Sequence, residues 1–119
     1  MSTTYTTSNL ATAVLREMAV IAADESPSSD DSTYVTDVYA AKYAELSAHG
    51  LELTYWASDA IPAAVFLTLR DLMITEVCGA FGLPMSPEDK DQRQTVILKR
   101  LRRHTATQKS GNVIMGEYF

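Results

Sequence analysis

The chain has 119 residues and a mass of 13.1 kDa, which is the size of one ordinary domain. Hydrophobic residues make up 46% of it and charged residues 21%, and this globular balance excludes a disordered chain. The net charge of −5 argues against a general nucleic-acid coat protein.

The negative charge is unevenly distributed along the chain. Residues 1–91 carry 14 acidic and 4 basic side chains, a net charge of −10. Residues 92–119 carry 1 acidic and 6 basic side chains, a net charge of +5. The sequence therefore predicts an acidic body with a basic C-terminal region, and this asymmetry indicates a binding partner.

Several classes of protein are excluded by what the sequence lacks. One cysteine, Cys78, allows neither an internal disulfide nor a four-cysteine metal site. Residues 1–9 have no basic and apolar stretch of the kind found in secretory signals. The uncharged residues 60–69 are fewer than the roughly 20 that span a bilayer. We therefore expect a soluble protein in a reducing compartment, with no membrane partner.

The first predicted helix covers about residues 8–23, where apolar side chains recur at spacings of three and four residues. Thr7 or Ser8 can cap its start, and Pro27 breaks the chain after it. The apolar side chains on its inward face are Leu10, Val14, Met18 and Ile21.

The second predicted helix begins at Ser28 or Ser29, with two acidic residues in its first turn, where the helix dipole favours negative charge. Gly50 suits the position after its end because glycine adopts the left-handed conformation at little cost. Residues 51–58 then form an extended link, and we expect Trp56 to be buried against the helices.

The third predicted helix begins after Asp59 as its cap, accommodates Pro62 in its first turn and continues to about Phe81. Apolar residues cover most of its circumference, which is typical of the central helix of a bundle. Gly82 and Pro84 follow its end.

The fourth predicted helix has the clearest start in the chain, because Ser86 precedes a proline and two acidic residues. It runs to about Thr105, and its inward side chains are expected to be Val96, Ile97, Leu98 and Leu101. Beyond it the chain has two glycines and no helical stripe. The predicted fold is therefore all-α: a four-helix bundle (residues 1–106) with an extended C-terminal docking tail (residues 107–119).

The residues that could carry out chemistry are few and scattered. His49 and His104 are the only histidines, and neither lies at the spacing of a metal site. Cys78 lies in an apolar helix, where a buried and inert thiol is expected. No carboxylate pair or glycine-rich phosphate loop stands out. We therefore predict no enzymatic activity, no bound metal and no cofactor.

A dense run of positive charge lies near the end of the fourth predicted helix. The candidate contact surface comprises Lys99, Arg100, Arg102, Arg103 and Lys109. Such a run is either a solvated helix end favoured by the dipole or a surface for an acidic partner or phosphates. A helix-turn-helix DNA reader is possible, but its reading helix would begin with acidic residues that phosphates repel.

The predicted tail carries large apolar side chains, which are Val113, Ile114, Met115, Tyr118 and Phe119. They either fold back onto the bundle or dock on another subunit. Docking is favoured, because the preceding residues 105–112 form a polar spacer of small residues that is expected to be flexible.

Several segments of the chain have a familiar spacing and placement of aromatic residues. They are Asn9-Leu-Ala-Thr-Ala-Val-Leu-Arg-Glu-Met-Ala-Val, the acidic Pro/Ser link, Val38-Tyr-Ala-Ala-Lys-Tyr-Ala-Glu-Leu, His49-Gly-Leu, the Trp56 segment, Ala60-Ile-Pro and Ala80-Phe-Gly-Leu-Pro. Together, over residues 9–84, they resemble the head–tail adaptor proteins of tailed bacteriophages, also called connector, head-completion or packaged-DNA-stabilisation proteins.

The resemblance implies an adaptor that forms a ring, usually of twelve copies, beneath the portal protein. The ring would extend the DNA channel, help to retain packaged DNA without sequence-specific contact, and support a downstream tail or nozzle protein. The implied location is the neck of the virion, after assembly in the host cytoplasm. The resemblance also implies that a C-terminal extension, here residues 109–119, reaches onto the portal, and it carries over no active-site residue. The alternative is a small DNA-binding regulator that uses the basic fourth helix.

Overall fold

A computed structural model describes residues 3–48 and 54–117 of the chain, with side chains as far as Ala106. Within these residues it contains four α-helices, one short 3-10 turn and one pair of two-residue strands. In chain order the elements are β1 (Thr4–Tyr5), α1 (Thr7–Glu17), α2 (Ser29–Ser47), β2 (Ile61–Pro62), α3 (Ala63–Val77), the 3-10 turn (Cys78–Phe81) and α4 (Pro87–Glu117). The predicted all-α class is confirmed.

Two sets of hydrogen bonds hold the start of α1, and both involve residues to which the sequence analysis gave other roles. Thr6, one residue before the predicted caps, accepts a hydrogen bond from the backbone N–H of Asn9 at 3.1 Å, and the Asn9 side chain accepts one from the Thr6 N–H at 3.0 Å. This reciprocal pair is a capping box. Asp59 was predicted to cap α3, and this is wrong: its carboxylate accepts hydrogen bonds from the N–H and hydroxyl of Thr7, both at 2.8 Å.

The end of α1 lies at Glu17, well before the predicted boundary. Ala19 has a φ of 60°, and its N–H donates to the Arg16 carbonyl at 3.0 Å. The N–H of the next residue donates to the Leu15 carbonyl, also at 3.0 Å. These bonds close the helix as a Schellman motif, in which glycine usually holds the left-handed position. Ile21 lies beyond this helix end but is only 9% exposed, because the turn returns the chain to the core. The apolar pattern in the sequence therefore continues past the end of the helix.

The serine caps predicted for α2 and α4 are confirmed. Ser28 Oγ accepts a hydrogen bond from the N–H of Asp31 at 3.1 Å, and Ser86 Oγ accepts one from the N–H of Asp89 at 3.2 Å. Both pairs have the cap-to-third-residue spacing that satisfies an otherwise unpaired helix donor. The predicted end of α2 at Gly50 lies outside the described residues.

The N-terminal strand β1 pairs with β2, the strand that directly precedes α3. β1 runs antiparallel to β2, and the N–H of Ala63 donates to the carbonyl of Thr3 at 3.0 Å. Pro62 was predicted inside the helix, but it has an extended backbone and precedes the first helical residue. The aromatic ring of Tyr5 packs on that of Phe66 with 4.3 Å between centroids. The N-terminal segment is therefore attached to the start of α3.

The predicted central position of the third helix is confirmed, because α3 packs against α1, α2 and α4. Trp56 is 8% exposed, as expected from its place in the extended link before the third helix. Gly82, in the left-handed region with a φ of 79°, ends the 3-10 turn after α3. The buried apolar side chains of α3 are Val65, Leu69, Leu72, Met73 and Val77.

The fourth helix was predicted to end near Thr105, and its helical backbone instead runs to Glu117. Gly111 and Gly116 each lower helix stability by about 1 kcal/mol relative to alanine, which is less than a proline would cost. A helix that is already formed adds residues without a new nucleation step. Ordinary helix-forming residues at 106–110 therefore carry the backbone into the apolar C-terminal residues.

Candidate docking surface

Three exposed cations lie on one face of α4, and we call Lys99, Arg102 and Arg103 the basic ridge. Their spacing of three and four residues places them on the side opposite to Ile97 and Leu101, which are 6% and 0% exposed. None of the three forms an ion pair with the side chains that the structure describes. The basic ridge is therefore available to a negatively charged partner.

Arg100, predicted to belong to the same contact surface, has a different environment. Its guanidinium Nη1 lies 3.7 Å from Oδ2 of Asp71 on α3, while the other Asp71 oxygen is 3.0 Å from Nη2 of Arg70. Arg70 in turn lies 3.6 Å from the carboxylate of Glu17 at the end of α1. These partly exposed charges form a row across three helices, so Arg100 is paired within the bundle. The side chain of Lys109 lies beyond the described side chains.

An open groove of about 750 Å³ lies between α4, α3, the end of α1 and the turn before α4. Its rim carries charged side chains, including Asp71, Arg93 and Arg100. Leu83 is 48% exposed and Val96 is 49% exposed, so two large apolar side chains face water there. We call the following apolar set the docking groove: Met18, Ile74, Leu83, Met85, Val96 and Ile97.

Sequence reasoning missed the docking groove because it assigned Val96 to the core. Ile97 and Leu101 are buried as predicted, and Leu98 is half-buried, but Val96 lies half in solvent. Successive helix residues differ by 100° in direction, so residues 96–98 cannot share one inward face. A run of three apolar residues was therefore the available signal for a second apolar surface.

A buried ionic network holds the first half of α4 against the bundle. The Lys42 ammonium on α2 lies 2.9 Å from one carboxylate oxygen of Glu76 on α3, and the Lys90 ammonium on α4 lies 3.1 Å from the other. Glu45 provides a second carboxylate 3.1 Å from Lys42. The side chains of Lys42 and Glu76 are 8% and 18% exposed. Nearby, the amide of Gln94 donates to the Thr75 hydroxyl at 2.9 Å.

The network keeps its members charged. Burial by itself raises the pKa of Glu76, but the hydrogen bonds from Lys42 and Lys90 outweigh it, and the pKa lies below its ordinary value. Burial lowers the pKa of Lys42, but hydrogen bonds to Glu76 and Glu45 raise it above its ordinary value. Each charge therefore stabilises the other, and α2, α3 and α4 are joined at one point. Residues this far apart in sequence gave no signal of the contact.

A second polar cluster holds Trp56 and Ser58 of the extended link against α2. The Tyr39 hydroxyl donates to the Ser58 carbonyl at 3.1 Å and accepts from Trp56 Nε1 at 3.3 Å. The Tyr43 hydroxyl donates to the Trp56 carbonyl. Burial raises the pKa of Tyr39. In the described residues every buried side-chain nitrogen and oxygen has a hydrogen-bond partner.

The other candidate residues are not brought together. Cys78 is buried at 4% exposure, as predicted, and His104 is half-buried on α4. His49 lies outside the described residues. Across the described part of the chain there is no group of three or more histidine, cysteine or acidic side chains that could hold a metal ion. Within residues 3–48 and 54–117, no helix has both the length and the apolar character needed to cross a membrane.

The predicted docking residues lie at the end of α4. Val113, Ile114 and Met115 belong to its helical backbone, and their side chains lie beyond the described ones. Tyr118 and Phe119 lie outside the described residues. No family model matches the chain, and no curated protein or solved structure is significantly similar to it.

Proposed function

We propose that this protein is a structural assembly protein: a head–tail adaptor of the tailed-bacteriophage kind, which forms a ring, dodecameric by resemblance, between a portal and a tail. The observation that supports this most is the length of α4. It has 31 residues against 15 in α3 and 4 in the 3-10 turn, so it is about 46 Å long against about 22 Å for α3. α4 is therefore about twice as long as α3.

The parts of α4 suit different contacts in such an assembly. Residues 87–105 pack on the bundle, the basic ridge faces solvent, and the helix then continues into the apolar residues of its C-terminal end. An acidic portal surface or the acidic body of a neighbouring copy would complement the basic ridge. The acidic body of the ring would repel packaged DNA and so let it pass through the channel without sequence-specific contact.

The exposed basic ridge also favours a second candidate, a small DNA-binding regulator. Phosphates bind exposed arginines and lysines of this kind. The first two turns of α4, however, present Glu88, Asp89 and Asp91, all exposed, where a reading helix approaches the phosphate backbone. This arrangement lowers the affinity for DNA, so we prefer a protein partner.

Assembly with a portal ring tests the proposal. The full chain is mixed with the portal protein of the same virus, and the complex is examined by mass measurement and electron microscopy. We expect a closed ring of adaptor copies on the portal. The double variant Arg102→Ala, Arg103→Ala should weaken binding, whereas Arg16→Ala, an exposed cation on α1, should not. Absence of any portal complex with the full chain would overturn the adaptor function.

A DNA-binding assay separates the two candidates. The full chain is titrated into duplex DNA at low and at higher salt. The adaptor proposal expects no binding that depends on the basic ridge. Tight binding that falls steeply with salt and is lost in the Arg102→Ala, Arg103→Ala variant would support the regulator instead.

A further inference from the structure

We propose that the docking groove binds the C-terminal segment, residues 113–119, of a second copy of this chain. The inference rests on the proposed ring assembly, because it supplies the contact between neighbouring copies. It joins two features of one chain: an open apolar groove beside α4 and an apolar segment at the far end of the same helix.

The docking groove has the character of a binding site for an apolar segment. Among the side chains that line it, Leu83 and Val96 are half-exposed, and Met18 and Met85 are half-buried. Methionine side chains adapt to differently shaped partners because they are unbranched and flexible. Covering this surface removes apolar area from water, which is favourable.

The C-terminal segment of the same copy cannot reach the docking groove without breaking α4. Val96, Ile97 and Arg100 of α4 form one wall of the groove, and the backbone then continues as helix away from it. Val113 lies about 20 Å further along the helix axis than Arg100. The segment must therefore come from another molecule.

The composition of the segment matches the docking groove. Residues 113–119 contain five large apolar side chains and one charged one, Glu117. Arg93 on the rim forms no ion pair with the described side chains, so the segment brings an acidic group toward an available cation.

The contact joins two different surfaces of the chain, so it is a heterologous interface. Each copy offers one C-terminal segment and one docking groove, so a single contact between two copies leaves one segment and one groove of the pair available. Such contacts continue until a ring closes or a filament grows. This is the type of contact that a ring adaptor requires.

Peptide binding tests the inference. A fluorescently labelled peptide with the sequence of residues 109–119 is titrated into the full chain, and its anisotropy is measured. We expect saturable binding that is about tenfold weaker with Val96→Asp, because the charge is placed among apolar contacts. Leu83→Asp should have the same effect, because Leu83 also lines the groove. Leu67→Asp is the matched control, since Leu67 is 58% exposed on α3 and lies outside the groove.

The results have distinct meanings once circular dichroism shows that the variants are folded. No peptide binding, or equal binding to wild type, Val96→Asp and Leu83→Asp, would overturn the groove contact. If Val96→Asp chains still close a ring on the portal, the adaptor function stands and the groove contact is wrong. If the peptide binds the groove but no portal complex forms, the groove contact stands and the adaptor function is wrong.

Discussion

Replacing Glu76 with glutamine tests how α4 is attached to the bundle. Glu76 accepts from Lys42 at 2.9 Å and from Lys90 at 3.1 Å, and its side chain is only 18% exposed. Removing one partner of a buried ion pair costs about 3–5 kcal/mol when the other charge is left alone. Lys42 retains Glu45, and Lys90 is 40% exposed and can be hydrated. We therefore expect Glu76→Gln to lower the free energy of unfolding by about 2–3 kcal/mol at neutral pH.

The loss should depend on pH in a definite direction. The pKa of Glu76 in the folded protein lies below its ordinary value of 4.5, so the folded state binds protons less readily than the unfolded state. The stability that its charge contributes is complete above the ordinary pKa and is lost as the pH falls through the folded pKa. The difference between wild type and Glu76→Gln should therefore be constant near neutral pH and should shrink in acid.

Urea unfolding followed by the fluorescence of Trp56, the only tryptophan, measures this difference. Glu45→Gln is the matched control, because Glu45 is 60% exposed and contacts the same lysine. It should cost less than about 1 kcal/mol. Equal losses for the two variants, or a Glu76→Gln loss that does not change in acid, would refute the role given to the buried carboxylate.

Three further substitutions test contacts described above. Ala19→Gly should raise the free energy of unfolding by about 0.5 kcal/mol, because the energy gained by relieving the left-handed backbone of an alanine exceeds the cost of the added unfolded-state entropy. A lower free energy of unfolding in a urea titration would contradict the Schellman geometry. Tyr39→Phe should lower it by about 1–3 kcal/mol, because the buried Trp56 N–H loses its acceptor; an unchanged urea midpoint would show that this bond contributes nothing. The pKa of Asp59 is lowered by hydrogen bonds from Thr7, so its contribution is complete above the ordinary pKa of 3.8 and fades in acid. Asp59→Asn should therefore lie closer in stability to wild type at low pH than at neutral pH, and a difference that does not vary with pH would contradict this.

The local signals in the sequence determined the helices and several of their ends. Ser28 and Ser86 cap the helices they were expected to cap, and Gly82, which was expected to follow a helix end, does so in the left-handed conformation. Such contacts join residues three or four positions apart, so the spacing of residue types is enough to predict them. The apolar circumference of the third helix likewise predicted its central position.

The end of α1 and the role of Asp59 differ from the sequence prediction. In both cases a contact with a distant part of the chain explains the difference. The apolar repeat ran on to Ile21 because that side chain reaches the core from the turn after the helix. Asp59 has the right type and position to cap α3, yet its carboxylate bonds to Thr7, 52 residues earlier in the chain. Local propensity is a weak preference that tertiary contacts override.

The net charge and its division into an acidic body and a basic end were readable from the sequence alone, and so was the apolar character of residues 113–119. Only the tertiary structure decided which charges are paired. It set Arg100 against Asp71, left the basic ridge exposed, and joined Lys42 to Glu76 inside the bundle. It also formed the docking groove from α1, α3, α4 and the turn before α4. These outcomes depend on which helix faces meet, and the spacing of residues within one helix does not contain that information.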